Sequence, residues 1–289
     1  MSRFPRLADT SEQLRNVWAH PANQNHRLAA VGRVVRFQID GRLLKRRTIK
    51  PIGDHARMWC DIHQFASRKL VIGNPPDWDQ MQAWRSLLDP GDLVIDVGGN
   101  IGVYAIWLAD LGMQVVSIEP HPSSRRLLEE NLALNHLDVT VVGCALSSAP
   151  GTMRLTANRQ TMNHLIIDAE GAEGTATIDV EVRTLDEVIG DRVAGGVKID
   201  VEGAERMVLE GASKALSEGR IGALQLEWND ECERLLGETR APIVELLSGY
   251  GFSFFRPDRD GRLRSLHGSV PYGSDVFALT DAAAKRVTA

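Results

Sequence analysis

The segment that most constrains the fold is residues 93–102, LVIDVGGNIG. A β-branched apolar run of strand length ends at an acid and passes directly into glycines. The apolar residues Val103, Ile106, Trp107 and Leu111 then follow at helical spacing. Glycines let the backbone approach a ligand closely, and the new helix offers unpaired N–H groups there. The segment therefore predicts the first strand–turn–helix unit of a nucleotide-binding α/β fold.

The rest of the chain repeats this alternation of strands and helices. Strands are predicted at Gln114–Ile118, Val139–Val142, Gly196–Asp200 and Ile221–Leu226, with a closing pair at Phe252–Phe255 and Asp275–Leu279. Helices are predicted at Pro122–Leu134, over about 204–215 and over about 230–247. Alternation of this kind predicts a mostly parallel sheet with helices on both faces.

The first part of the chain differs in charge from the rest. Residues 1–50 hold eleven Arg or Lys and three Asp or Glu, although the whole chain has a net charge of −5. An amphipathic helix over Arg27–Leu44 and a hairpin formed by Thr48–Ile52 and Arg57–Ile62 are predicted. We expect residues 1–68 to form this helical arm and hairpin, and residues 69–289 to form the main domain. A basic segment can contact nucleic acid, anionic lipid or a phosphorylated acceptor, or simply be solvated.

The composition is typical of a soluble globular protein, with 43% apolar and 25% charged residues. No apolar run approaches the length of a membrane span, and the polar first ten residues lack a signal-peptide core. The three cysteines are too widely separated for a disulfide framework or a zinc site. We expect a cytoplasmic protein without a membrane span, and homo-oligomerisation is left open.

Four predicted strands end at or next to an acid, namely Asp96, Glu119, Asp200 and Glu227. Ligands of open α/β sheets bind beyond the carboxyl ends of the strands, so these acids should share one rim. Such a rim suits a cationic ligand that carries hydroxyl groups. Glu119 lies seventeen residues after Gly102 and is placed to accept both ribose hydroxyls. We expect Asp96 to order the glycine turn or to hold the end of this ligand away from the ribose.

The spacing of the glycines separates two classes of cofactor. A dinucleotide loop has the pattern Gly-x-Gly-x-x-Gly, and this chain has Asn100 at the second glycine position. The pattern Asp-x-Gly-x-x-x-Gly, formed here by Asp96, Gly98 and Gly102, is typical of S-adenosylmethionine-dependent methyltransferases. An NAD-dependent oxidoreductase remains the less favoured alternative.

Three blocks resemble the signature of the FkbM-type methyltransferase family: residues 96–102 (DVGGNIG), 118–120 (IEP) and 197–205 (VKIDVEGAE). The resemblance covers roughly residues 69–250. It implies the class I methyltransferase fold, with a Rossmann-like, seven-stranded, mostly parallel sheet. It also implies methyl transfer from S-adenosylmethionine to a hydroxyl of a sugar, glycan or glycosylated natural product. The implied cofactor-binding residues are Asp96, Gly98, Asn100, Gly102, Glu119 and Ala145.

Methyl transfer to an alcohol requires alignment of the nucleophile and removal of one proton. Asp200 is the leading candidate for the base, and Glu202, Glu227 and His164 are the other candidates. A Mg²⁺ ion held by Asp200, Glu202 and Glu227 is an alternative that the spacing does not require.

Residues 74–77, Asn-Pro-Pro-Asp, resemble the Asn-Pro-Pro-aromatic motif of methyltransferases that act on DNA bases. The fourth residue here is not aromatic, and the motif precedes the glycine loop, so we predict a proline-fixed turn. We expect a small hydroxylated acceptor and no nucleic acid. A peptide or nucleic-acid acceptor that uses the basic segment is the alternative.

Overall fold

A computed structural model of the chain describes residues 7–156, 165–166, 177–201, 203–230, 237, 239–268 and 270–288. The described part forms a large central sheet with helices on both faces, a smaller sheet, and an N-terminal region that packs on the central sheet's helices. The fourteen described strands are β1 Thr48–Ile52, β2 Ala56–Cys60, β3 Leu93–Val97, β4 Gln114–Ile118, β5 Val139–Val142, β6 Ala145–Leu146, β7 Gly151–Thr156, β8 Leu165–Ile166, β9 Thr177–Arg183, β10 Ala194–Ile199, β11 Ile221–Leu226, β12 Ser253–Pro257, β13 Leu263–Ser265 and β14 Val276–Leu279.

The helices lie between these strands as the alternation predicts. The described α-helices are α1 Leu7–Ala19, α2 Arg27–Arg42, α3 Phe65–Ile72, α4 Trp78–Leu87, α5 Val103–Asp110, α6 Pro122–Asn135, α7 Leu185–Ile189, α8 Glu205–Glu210, α9 Ser213–Ser217, α10 Ala241–Gly249 and α11 Asp281–Thr288. A short 3-10 helix, Pro21–Asn23, joins α1 to α2.

The central sheet has the strand order β13-β12-β14-β11-β10-β3-β4-β5. Its strands β5, β4, β3, β10 and β11 are parallel, whereas β14, β12 and β13 are antiparallel. The predicted class is confirmed, but the predicted count of seven is wrong, because β13 adds an eighth described strand. β13 is only three residues long and has two exposed positions, so its apolar signal is weak.

The order of the parallel strands reverses between β3 and β10. The chain first runs outward from β3 to β4 and β5, and then returns to the other side of β3 with β10 and β11. Strand order reverses in this way at the ligand-binding crevice of open α/β sheets. The carboxyl ends of β3 and β10 therefore mark the expected site.

The N-terminal region shares a core with the main sheet. Val17, Phe37 and Met58 are buried in the same apolar cluster as residues of α4 and α5. The predicted helix and hairpin are confirmed by α2, β1 and β2. Position 68, our proposed domain boundary, lies within α3, whose last turn is held by a side chain of α2: Arg33 Nε donates to the Val71 carbonyl at 2.9 Å.

One asparagine of α6 fastens the hairpin to the glycine loop. The Asn131 side chain accepts a hydrogen bond from the Trp59 N–H at 2.8 Å and donates one to the Ile101 carbonyl at 2.9 Å. Asn131 is buried, so both halves of its amide are satisfied without water. The hairpin is therefore a structural support of the loop that follows β3.

Two of the predicted helices differ from the structure. The single helix predicted over about 204–215 is two short helices, α8 and α9, separated at Gly211. A Cβ at Gly211 would lie 2.2 Å from the Ser147 carbonyl oxygen, so the chain here lies too close to its neighbour for a side chain. The helix predicted over about 230–247 is confirmed only for α10. Residues 231–236 and 238 lie outside the described part.

β6, β7, β8 and β9 form the smaller sheet, in the order β6-β9-β7-β8. β6 follows β5 directly and carries Ala145 toward the carboxyl edge of the central sheet. None of the helices in the described part combines the length and the apolar character that a membrane span requires.

Candidate active site

A cleft of about 590 Å³ opens at the carboxyl edge of the central sheet. The glycine loop after β3 forms one wall, and the residues that follow β4, β10 and β11 form the others. Gly98 has φ +86° and Gly102 has φ +94°, conformations that L side chains rarely adopt. A Cβ at Gly98 would lie 2.0 Å from the Asp200 carbonyl oxygen, so glycine lets this loop pass close to the end of β10.

Glu119 shapes the glycine loop from the neighbouring strand. Its Oε2 accepts the Asn100 N–H at 2.8 Å, and its Oε1 accepts the His121 N–H at 2.8 Å. Burial raises the pKa of Glu119 to about 7. Each carboxylate oxygen has two acceptor sites, so each retains one for a further donor such as a ribose hydroxyl. Glu119 lines the cleft, in the position expected for its role.

Two buried oxygens at this end of the cleft lack a hydrogen-bond partner in the described part of the chain. They are Asp96 Oδ1 and Asn100 Oδ1. Unsatisfied buried acceptors are costly, and a ligand that donates hydrogen bonds removes that cost. The adenosyl moiety and the ammonium group of S-adenosylmethionine supply such donors, so the residues present fit this cofactor.

Of the remaining predicted cofactor-binding residues, Ala145 lines the cleft and Gly102 does not. Ala145 is buried and lines the cleft beside Glu119. Gly102 does not line the cleft: it precedes α5, and a Cβ there would lie 2.5 Å from Leu128 Cδ1 on α6. Gly102 therefore lets α5 begin close against α6, and its contribution to a cofactor site would be indirect.

On the β10 side of the cleft a buried lysine forms an ion pair with Asp200. Lys198 Nζ donates to Asp200 Oδ2 at 2.8 Å and lies 4.7 Å from the centre of the Tyr104 ring. Burial alone would lower the pKa of Lys198, but Asp200 and Asp96 outweigh it and raise that pKa. Burial likewise opposes ionisation of Asp200, yet Lys198 and Lys69 hold its pKa below the usual value. Asp200 keeps 44% of its side-chain surface accessible.

Asp275, which precedes β14, is a cleft residue that the sequence analysis did not select. Its Oδ2 accepts a hydrogen bond from Gln225 Nε2 at 2.6 Å. Gln225 also donates to the Tyr104 hydroxyl at 3.2 Å and accepts from the Trp84 indole N–H. Burial raises the pKa of Asp275 to about 6, and the charge of Asp200 contributes to that rise.

Sequence reasoning also missed a buried ion pair beneath the end of β10. Glu205 and Arg240 are 0% and 3% exposed at their side chains, and Arg240 Nη1 donates to Glu205 Oε2. Glu205 Oε1 also accepts the Gly203 N–H at 3.1 Å. Glu205, in the first turn of α8, therefore fixes the turn after Asp200.

The other candidate residues have distinct outcomes. Glu227 lines the cleft, and its Oε1 accepts from Asn229 Nδ2 at 2.7 Å. His164 and Glu202 lie outside the described residues, so their roles stay predictions. Trp228, the residue after Glu227, is fully buried and donates its indole N–H to the Val270 carbonyl. Phe65, 55% exposed at the start of α3, lines the cleft.

Residues 74–77 form the predicted turn. Gly53 N–H donates to Asn74 Oδ1 at 2.9 Å, and Asn74 Nδ2 donates to the Gly53 carbonyl at 3.2 Å, which ties the turn to the hairpin. The asparagine amide is thus engaged with backbone, whereas Pro76 and Asp77 line the cleft. Asp77 accepts from Lys69 Nζ, a partner on α3.

The comparison with known families decides the class of enzyme. The family described as Methyltransferase FkbM domain matches residues 96–254, which include the glycine loop, β4, β10 and β11. The chain belongs to the FkbM methyltransferase family. It is therefore an S-adenosylmethionine-dependent methyltransferase.

Two curated relatives agree with this assignment. The 31-O-demethyl-FK506 methyltransferase FkbM of Streptomyces tacrolimicus is 30% identical over 199 residues, which is 57% of this chain and 74% of the relative. Methyltransferase sdnD of Sordaria araneosa is 27% identical over 162 residues, covering 44% of this chain and 62% of the relative.

Solved structures of other methyltransferases share low identity with the chain. Magnesium protoporphyrin IX methyltransferase from Synechocystis PCC 6803, with bound SAM, is 18% identical at a TM-score of 0.43, over 75% of this chain and 85% of that one. The 16S rRNA N2 G1207 methyltransferase of T. Thermophilus, in complex with AdoMet and guanosine, is 15% identical at a TM-score of 0.45. The match covers 81% of this chain and 50% of that one.

A metal site is not formed by the described residues. Among them, no three His, Cys, Asp or Glu side chains stand in a group that could hold a metal ion. Of the three residues named as possible Mg²⁺ ligands, Asp200 and Glu227 line the cleft, and Glu202 is not described.

Proposed function

We propose that this FkbM-family methyltransferase transfers a methyl group to a hydroxyl oxygen of a small, polyhydroxylated molecule, either a sugar or a glycosylated natural product. The observation that carries the proposal is the concentration of oxygen acceptors in the cleft. Asp77, Asp200, Glu227 and Asp275 all line it. The last three adjoin β10, β11 and β14, which lie on the other side of β3 from β4 and Glu119. Carboxylates accept hydrogen bonds and do not donate them when ionised, so they select an acceptor with several hydroxyl donors.

An aromatic side chain that lines the cleft supports an acceptor that also has an apolar face. Phe65 presents its ring at the mouth of the cleft, where the cationic groups of Arg68 and Lys69 lie 5.7 and 5.8 Å from the ring centre. A sugar or macrocycle offers C–H groups to such a ring and hydroxyls to the acids. The Streptomyces relative, a 31-O-demethyl-FK506 methyltransferase, is likewise named for O-methylation of a natural product.

The enzyme would need to align the acceptor, exclude water and remove one proton, because a neutral alcohol is a weak nucleophile. S-adenosylmethionine supplies an electrophilic methyl group when bound. Asp200 and Glu227 remain candidate bases on the described part of the rim, and Mg²⁺ assistance remains an alternative. A cytoplasmic location and the absence of a nucleic-acid partner also remain predictions.

The deciding experiment is a screen with S-adenosylmethionine that carries a deuterated methyl group. Free sugars, glycosides and hydroxylated macrolides are incubated with the protein, with and without EDTA, and products are identified by mass and by NMR. We expect an O-methylated product, and Glu119→Ala is the negative control. Methylation of RNA or peptide in a parallel arm, with every hydroxylated small molecule left unmodified, would overturn the proposal. If activity is lost in EDTA and is restored by added Mg²⁺, the reaction requires the metal.

A further inference from the structure

The topology of the sheet places one more acid at the edge where the acceptor would bind. β14 is antiparallel to β11, and Leu226 pairs with Val276. The residue before β14 therefore lies at the same edge as the residue after β11. That residue is Asp275, and it lines the cleft together with Lys198, Asp200 and Tyr104.

The Asp275 carboxylate is held by Gln225, whose side-chain amide can take only one orientation. The Trp84 indole N–H can only donate, so the Gln225 atom that faces it must be the amide oxygen. Gln225 Nε2 then faces Asp275 Oδ2 at 2.6 Å and the Tyr104 hydroxyl at 3.2 Å. In the described part of the chain, Asp275 Oδ1 makes no hydrogen bond. It is the oxygen available to a ligand.

The charged groups around Asp275 come from several elements. Asp200 and Lys198 face it from β10 and its end, and Asp77 faces it from the turn before α4. Lys69 on α3 and Arg256 on β12 also interact with its charge. Each lysine already has a carboxylate partner: Lys198 pairs with Asp200 and Lys69 with Asp77. Asp275 is thus the acid of this group that is held by a neutral amide and forms no ion pair in the described residues.

We propose that Asp275 is the general base of methyl transfer and that Asp200 is the permanent counter-ion of Lys198. This inference rests on the proposed O-methylation. The acceptor O–H bond breaks, and its proton passes to the free oxygen of Asp275. The oxygen lone pair forms the new O–C bond to the methyl carbon. The electron pair of the broken C–S bond stays on sulfur, so the by-product is neutral S-adenosylhomocysteine.

The electrostatics favour this division of roles. A general base works best when its pKa is near the operating pH. Burial raises the pKa of Asp275 to about 6, whereas Lys198 keeps that of Asp200 below its usual value despite burial. Asp200 is therefore the weaker base of the two, and protonating it would leave Lys198 buried without its partner.

The test compares Asp275→Asn with Asp200→Asn and with Asp191→Asn, a control at a fully exposed site. Asparagine at position 275 keeps an oxygen for Gln225. We expect Asp275→Asn to lower kcat by about 10²- to 10⁴-fold with S-adenosylhomocysteine affinity within twofold of wild type. The acid limb of the pH–rate profile near pH 6 should disappear in this variant. In Asp200→Asn the limb should persist at lower pH, because the charge that raises the pKa of Asp275 is gone.

A second readout needs neither cofactor nor acceptor. With ¹³C-labelled aspartate, one side-chain carboxyl resonance of the free protein should titrate near pH 6 and be missing from Asp275→Asn. The inference is overturned if no aspartate titrates there, if Asp275→Asn keeps its acid limb, or if Asp200→Asn alone loses it. A wild-type protein that methylates no hydroxyl compound overturns the proposed function instead, and the two failures are therefore distinct.

Discussion

The buried Glu119 predicts that the free protein loses stability as the pH rises through neutrality. Its pKa is raised by burial from 4.5 to about 7. Below pH 4.5 the carboxyl group is protonated in both folded and unfolded chains. Between the two values the folded chain holds a proton that the unfolded chain has released, so the free energy of unfolding falls with pH. Above pH 7 that loss is complete.

The size of the effect follows from the same shift. Each pKa unit corresponds to about 1.4 kcal/mol, so a rise from 4.5 to about 7 removes about 3 kcal/mol of unfolding free energy across this range. Asp275 contributes a similar loss at lower pH, because its pKa is raised from 3.8 to about 6. The Asp275 contribution cancels when wild type is compared with Glu119→Gln, so the difference between the two profiles isolates Glu119.

The measurement is urea unfolding, followed by tryptophan fluorescence, from about pH 5 to about pH 8. Wild type should lose about 2 to 3 kcal/mol more than Glu119→Gln over this interval. Glu129→Gln, at an exposed position of α6, is the matched control and should follow wild type. Parallel profiles for wild type and Glu119→Gln would refute the assigned burial of this carboxyl group. In wild type, stabilisation by S-adenosylhomocysteine should increase with pH, because the ribose hydroxyls bind the ionised form.

Three further variants test other parts of the site. Glu205→Gln leaves Arg240 buried without a counter-charge, so it should lower the unfolding free energy by about 3 to 5 kcal/mol. The control Glu210→Gln removes an exposed ion pair and should lower the unfolding free energy by less than about 1 kcal/mol. Gly98→Ala should lower the melting temperature far more than Gly91→Ala, because both glycines have positive φ and only Gly98 has a close neighbour. Equal losses of melting temperature would refute the close contact. Asp200→Asn should lower the melting temperature because it leaves the charge of Lys198 buried without its partner, and an unchanged melting temperature would contradict the ion pair.

The sequence was sufficient for the parallel half of the sheet and for several residues that line the cleft, among them Gly98 and Glu119. Strands β3, β4, β5 and β11 are apolar runs of the right length. Glu119 was found because ligands of open α/β sheets bind beyond the carboxyl ends of the strands, and Glu119 directly follows β4. The glycine spacing and the family resemblance then selected the cofactor.

Asp275 escaped the same reasoning for a topological reason. It precedes its strand, and only the antiparallel direction of β14 places it at the carboxyl edge. Strand direction is a tertiary property that no local pattern records. Lys198 was likewise overlooked, because a lysine inside an apolar strand gives no sign of the carboxylates that pair with it. Arg240 lies 35 residues from Glu205, and no sequence spacing connects them.

Asn131 couples the hairpin to the glycine loop through its side-chain hydrogen bonds. Its amide accepts the Trp59 N–H and donates to the Ile101 carbonyl, so opening of either contact leaves a buried polar group unpaired. Local opening of the hairpin and of the loop should therefore share one free-energy cost. A nucleoside that immobilises the loop will then slow hydrogen exchange at the Trp59 amide, on a strand that does not line the cleft.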